Sequence, residues 1–139
     1  KKMSKSGESD MERINMLDDA DTISKKFKKA RTDPAPLPDT LDGLKDRPEA
    51  RNLVDIYAAL SDTTPEAVIA EHAGAGWGAF KPALADLAVS KLAPISDEMG
   101  RLMNDPAEID RILRSGADKA RVIAEPILQR TYDIVGLLR

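Results

Sequence analysis

The sequence has no cysteine, few aromatic residues and no long apolar run, and each absence excludes a class of structure. Without cysteine, its 139 residues cannot form disulfides, thiolate zinc sites or a thiol nucleophile. Aromatic residues make up only 4%, so aliphatic side chains must supply the core. No apolar stretch approaches the ~20 residues of a membrane-spanning helix. A formal net charge of −3 argues against a protein that coats nucleic acid non-specifically, but it leaves local RNA binding open.

The residues that are abundant are typical of helices. Apolar side chains, 42% of the total, recur at steps of three and four, and no stretch alternates apolar and polar residues for the length of a strand. We therefore predict an all-α fold, a helical bundle. The lack of cysteine and of an apolar signal-peptide core favours a cytoplasmic location.

Three parts are predicted along the chain. Residues 1–31 form a loop and a helix, residues 32–47 a proline-rich linker, and residues 48–139 a helical domain. The acidic run at residues 18–21 predicts the start of the first helix. Its lysines are expected on the solvent side: Lys25, Lys26, Lys28 and Lys29, with Arg31. Because the linker should make few long-range contacts, residues from about 48 onward are expected to fold without residues 1–45.

The C-terminal part is expected to contain a long helix after Trp77 and two further helices. Asp105 and Pro106 are typical of a helix start, and Gly116 is expected to end that helix. A last helix is then predicted from Ala117 to about Val135. Apolar residues of this last helix are expected to face inward, among them Ile123, Ile127 and Ile134. His72 has no partner that suggests metal binding, and we interpret it as structural.

The first residues carry the strongest chemical signal, because Lys2-Met3-Ser4-Lys5-Ser6 reads KMSKS. When a nucleophile attacks the α-phosphate of ATP, negative charge develops on the departing pyrophosphate. Two ammonium groups can stabilise that charge as it forms, and the serine hydroxyls add donors. Small residues leave such a loop free to open and close. Taken alone, the five residues are equally compatible with a solvated basic terminus.

Further segments favour the ATP-binding interpretation of KMSKS over a solvated terminus. Together with KMSKS, they resemble the bacterial-type tryptophanyl-tRNA synthetases of class I in order and spacing. They are residues 17–20, the lysine-rich helix, 52–54, 56–57, 76–78, 80–81, 84–85, 94–95, 116–117 and 119–120. The resemblance implies that Lys2 and Lys5 are catalytic and that Lys2, Met3, Ser4, Lys5 and Ser6 bind ATP. It implies Mg²⁺ bound with ATP, no protein metal site, and L-tryptophan and tRNA(Trp) as partners.

The same resemblance implies that the C-terminal helices bind the tRNA anticodon. Five cations of the last two predicted helices are the candidate contacts: Arg111, Arg114, Lys119, Arg121 and Arg130. The family also has a Rossmann-type catalytic domain, through which its members dimerise. The chain starts one residue before the motif and carries neither a HIGH-type motif nor a tryptophan pocket, so we expect these residues alone to be inactive.

One local departure from the family concerns Gly7-Glu8-Ser9, where many relatives have Asp-Pro-Asn, and it leaves the resting conformation of the loop open. Two alternatives stay open for function. The chain could act as a non-enzymatic helical RNA-binding module, or it could belong to the related tyrosyl enzyme. The residues around Trp77 resemble the tryptophanyl pattern and favour tryptophan over tyrosine.

Overall fold

The structure, a computed structural model, describes residue 7 and residues 9–136. Within these residues the chain is helical and contains no strand, which confirms the all-α prediction. The elements are α1 (Ala20–Lys29), α2 (Pro48–Ser61), α3 (Pro65–His72), α4 (Trp77–Met103) and α5 (Pro106–Val135), with 3-10 turns at Asp10–Glu12 and Leu41–Leu44. Contacts divide the chain into two compact units, residues 1–99 and 100–139. The predicted functional boundaries at residues 32 and 48 stay predictions.

Local side-chain chemistry explains where three of the helices begin. Asp19 precedes α1, and its carboxylate accepts the backbone N–H of Thr22 at 2.7 Å. Thr64 caps α3 and Asp105 caps α5 in the same way. Each cap satisfies a backbone donor that has no partner within the helix. The acidic run at residues 18–21 therefore starts a helix as predicted.

A single apolar cluster holds the first unit together. Phe80 and Leu84 of α4 lie at its centre, and α1, α2 and α3 all contribute to it. The buried residues are Ile23, Phe27, Leu37, Leu44, Ala50, Leu53, Val54, Ala58, Val68, Ile69, Phe80, Leu84, Ala85 and Ala88. Trp77 packs edge-to-face on Phe80, with 5.9 Å between the ring centroids, so the aromatic residues at the start of α4 belong to the core.

The expectation that the linker makes few long-range contacts is wrong. Leu37 and Leu44 are both buried in the core cluster. The backbone of Leu37 also pairs with the turn before α4, donating to the carbonyl of Ala75 at 2.9 Å and accepting from Gly74 at 3.0 Å. The prolines prevent a helix here, but the leucines between them still gain free energy by leaving water.

The expected break at Gly116 is also wrong, because α5 continues through that residue. Glycine in a helix interior costs only about 1 kcal/mol relative to alanine, which the hydrogen bonds of a 30-residue helix can outweigh. The helix ends instead at Gly136, whose φ of 68° is left-handed.

No residue of α5 is buried. The predicted inward orientation of its apolar residues is therefore wrong: Ile123 is 70% exposed, and Ile127 and Ile134 are similarly exposed. Within the second unit, a single long helix offers no facing surface on which these side chains could be buried.

Candidate functional site

The signature itself, Lys2, Met3, Ser4, Lys5 and Ser6, lies outside the described residues. On its C-terminal side the structure describes Gly7 and the chain from Ser9 to α1. This segment contains a 3-10 turn at Asp10–Glu12 that buries no residue. Polar contacts, not a share of the core, must therefore determine where the turn lies.

Lys26 of α1 is the centre of those polar contacts. The residue is only 4% exposed, and its Nζ lies 2.6 Å from Asp18 Oδ2 and 2.8 Å from Asp10 Oδ2. Asn15 lies between the two aspartates and donates its side-chain N–H groups to both. The backbone N–H of Asn15 donates to Asp18 Oδ2 at 2.8 Å as well. These four residues form one connected network.

Arg13 extends the network toward the signature. One guanidinium nitrogen lies 3.2 Å from Asp10 Oδ1, and the other donates to the carbonyl oxygen of Gly7 at 3.0 Å. A longer contact of 3.4 Å reaches the carbonyl of Ser9. Because Gly7 directly follows Ser6, the contacts run from α1 to the residue adjoining the signature.

The electrostatics keep this network charged. Hydrogen bonds from Lys26 and Asn15 lower the pKa of Asp10. Burial alone would raise the pKa of Asp18, but hydrogen bonds from the same two residues outweigh it and lower the pKa. Burial likewise opposes the charge on Lys26, yet its bonds to the two aspartates raise its pKa. All three groups are therefore ionised near neutral pH, and the buried ammonium has two counter-charges.

The prediction that the lysines of α1 face solvent is wrong only for Lys26. Lys25, Lys28 and Lys29 are exposed, as is Arg31. A groove of about 620 Å³ lies between α1, the segment before it and the start of α2. Its walls combine apolar residues such as Ile14 and Phe27 with the cations Arg13, Lys29 and Arg31.

The five candidate RNA contacts all lie on α5, and all are exposed: Arg111, Arg114, Lys119, Arg121 and Arg130. At about 100° per residue, Arg114 and Arg121 share one face of a continuous helix, and Arg111 lies at its edge, roughly 60° from Arg114. Lys119 and Arg130 lie on a different face, beside the apolar residues. The structure therefore brings together three of the five residues.

Each of these three arginines has an acidic partner within its own helix. The guanidinium of Arg111 binds Glu108 through two 2.6 Å hydrogen bonds, which raises the pKa of Arg111 and lowers that of Glu108. Arg121 pairs with Asp118 at 2.8 Å, and Arg114 lies 3.5 Å from Asp110. Exposed pairs of this kind contribute little to stability because solvent screens them, so a phosphate group can compete for the arginines.

The sequence reasoning missed the network around Lys26. A signal was present, because Lys26 follows Ile23 by three residues and precedes Phe27, which places it on the buried side of α1. Asp10, Arg13 and Asn15 gave no comparable signal. Nothing in the spacing of their segment predicts how it turns.

Neither a metal centre nor a membrane helix is found in the part of the chain that the structure describes. No three or more His, Asp or Glu side chains there converge as metal ligands would. Likewise, none of its helices combines the length and the apolar character that a membrane span requires.

Comparison with known proteins identifies the class. The family model described as tRNA synthetases class I (W and Y) matches residues 1–93, which is more than half of the chain. The chain belongs to this family, in which the letters stand for tryptophan and tyrosine.

Curated relatives are similar over the whole chain. It is 60% identical over 139 residues to the Tryptophan--tRNA ligase of Rhizobium meliloti (strain 1021), and 58% identical to that of Agrobacterium fabrum (strain C58 / ATCC 33970). A more distant relative is the Tryptophan--tRNA ligase of Synechocystis sp. (strain ATCC 27184 / PCC 6803 / Kazusa), 44% identical over 99% of the chain. The chain spans 39% of the first two relatives and 40% of the third.

Proposed function

We propose that this chain is part of an enzyme that activates L-tryptophan with ATP and transfers it to tRNA(Trp). The proposal rests on the KMSKS sequence at Lys2–Ser6 within a chain that is 60% identical, over 139 residues, to a protein named Tryptophan--tRNA ligase. Such identity extends to residue 139, past the end of the family-model match at residue 93, so it also includes α5.

The signature residues act in the first of the two steps. The tryptophan carboxylate attacks the α-phosphate, a new P–O bond forms, and the bond to the pyrophosphate oxygen breaks. Lys2 and Lys5 stabilise the negative charge that develops on the leaving group, and Ser4 and Ser6 donate hydrogen bonds. Mg²⁺ bound with ATP would neutralise part of the phosphate charge, beside the charge that Lys2 and Lys5 supply.

The helical part supplies tRNA recognition. The exposed arginine face of α5 is the proposed contact with the anticodon arm, because guanidinium groups pair with phosphate and stack on unpaired bases. Since the chain is net acidic, binding relies on a few placed cations and not on overall charge. Dimerisation through a Rossmann-type domain and a cytoplasmic location complete the proposal.

Tryptophan is the proposed substrate in preference to tyrosine. The family includes both specificities, but the three curated relatives carry the name Tryptophan--tRNA ligase. A helical RNA-binding module without catalysis is the competing function. It predicts tRNA binding without any tryptophan-dependent ATP–pyrophosphate exchange by the parent protein.

The test is Lys5→Ala in the full-length protein. Loss of one preorganised donor to developing charge costs roughly 10²–10³ in rate. ATP–pyrophosphate exchange driven by tryptophan should fall by that factor at saturating ATP, while tRNA affinity stays unchanged. Lys1→Ala is the matched control, because it removes the same charge one residue outside the signature. Equal exchange rates in the two variants would refute the proposed role of the loop.

A further inference from the structure

The segment between the signature and α1 is held mainly by polar contacts. Met11, Met16 and Leu17 are all exposed, and the turn at Asp10–Glu12 buries nothing. Ile14 is the residue of this segment that packs against the core cluster. Without the Lys26 network, a single partly buried side chain would locate the segment relative to α1.

A buried lysine at position 26 is not explained by stability alone, because burying its charge costs desolvation free energy. A buried ion pair stabilises a fold no more than well-packed apolar residues of similar volume do, because desolvation of the charges offsets their attraction. What charged hydrogen bonds add is a defined geometry. Here they link α1 to Asp10 and Asp18, and through Arg13 to the carbonyl of Gly7.

We propose that Lys26 is a positioning residue for the signature lysines, acting through Asp10, Asp18 and Arg13 on the chain that directly follows Ser6. The inference rests on the proposed function. Charge stabilisation requires that Lys2 and Lys5 be held to within about 0.5 Å of the productive geometry. The network defines one end of their segment, so its loss misplaces both ammonium groups without removing either.

The first experiment measures tryptophan-dependent ATP–pyrophosphate exchange by Lys26→Met in the full-length protein. Misplacement on the order of 1 Å costs roughly 10²-fold, so we expect the exchange rate to fall by roughly 10- to 100-fold. Arg47→Met is the matched control. Arg47 forms a similar partly buried pair with Asp33 in the same unit, at 2.7 Å, but its described partners lie at residues 33–36. The control should keep its exchange rate within a few-fold of the parent.

A double-mutant cycle with Lys5→Ala separates positioning from a general loss of folded protein. If Lys26 acts through the signature, Lys26→Met should lower the exchange rate at most a few-fold in a protein that already carries Lys5→Ala. If Lys26→Met only destabilises the fold, it lowers the exchange rate by the same factor with and without Lys5→Ala, and the proposal is overturned. Normal exchange by Lys26→Met also overturns it.

Arg13→Met supplies a second variant if Lys26→Met does not fold. It removes the contact with Gly7 while leaving Lys26 paired with both aspartates, so it should slow exchange with the same dependence on Lys5. Full activity of Arg13→Met would then overturn the proposal. The cycle also identifies which idea fails. Normal exchange by Lys5→Ala refutes the proposed role of the signature, and absence of tryptophan-dependent exchange in the parent protein refutes the proposed function. Slow exchange by Lys5→Ala beside normal exchange by Lys26→Met refutes only the positioning role.

Discussion

Among the cations of this chain, the partners of each side chain determine what it can bind. Lys26 is only 4% exposed, and two aspartates occupy two of its three N–H donors, so little of the ammonium is open to a ligand. The arginines of α5 are paired too, but in solvent, where a phosphate can replace or share the carboxylate. Residues of the same charge therefore take different roles, and exposure is the physical difference.

The first residue-scale prediction is the reversal of Arg114 and Arg121 to Glu in the full-length protein. These residues lie on one face, about 10 Å apart along the helix axis. The Michaelis constant for tRNA should rise roughly tenfold or more, since two charge-assisted contacts are lost and each becomes repulsive. ATP–pyrophosphate exchange needs no tRNA and should be spared.

The matched control reverses Lys119 and Arg130, which changes the net charge equally on another face of the same helix. A smaller effect on the tRNA Michaelis constant is expected there. If both double variants weaken tRNA binding equally, overall charge and not the arginine face governs recognition. Normal tRNA charging by the Arg114 and Arg121 variant at low tRNA concentration would exclude the arginine face as the contact and favour Lys25, Lys28 and Lys29 of α1.

At the scale of elements, α5 shows how far a local signal can be overridden. Gly116 favours a helix end, but its φ is not left-handed, and a Cβ added there would meet no atom within 4 Å. Gly136 does adopt the left-handed conformation, with φ of 68°. The two glycines therefore differ: Gly136 has a conformation in which other residues are strained, whereas Gly116 lies in the interior of a helix.

We therefore predict opposite effects of alanine at these two positions. Gly116→Ala should stabilise α5 by about 0.5–1 kcal/mol, because it lowers the entropy of the unfolded chain without strain. Gly136→Ala should destabilise it by a similar amount, because an alanine in that conformation is strained. Helicity by circular dichroism during thermal unfolding provides the measurement. A loss of helix in Gly116→Ala would mean that the residue requires a conformation that only glycine adopts.

For the whole molecule, the decisive observation is that α1 and the linker share the core of the first unit. Ile23 and Phe27 come from α1, Leu37 and Leu44 from the linker. Each buried side chain of this size is worth about 2–5 kcal/mol when truncated, against a total stability of about 5–15 kcal/mol. Residues 48 onward therefore lack a complete core of their own.

Deletion of residues 1–45 should abolish cooperative unfolding, contrary to the expectation from the sequence. A chain ending at residue 103 is the matched control, since it loses a similar number of residues but none of the buried cluster. Its thermal transition, followed by circular dichroism, should stay cooperative. A cooperative transition in the first deletion would show that α2, α3 and α4 fold by themselves.

Periodicity and caps were enough to predict the all-α class, the start of α1 within residues 18–21 and that of α5 at Asp105, because these depend on neighbours within a few residues. The role of the KMSKS residues rests on their identity together with the family resemblance, and it stays a prediction. Only the tertiary structure could decide that Leu37 and Leu44 are buried and that Lys26 meets Asp10 and Asp18. Those contacts depend on how an irregular segment turns back on a helix, which no local pattern encodes.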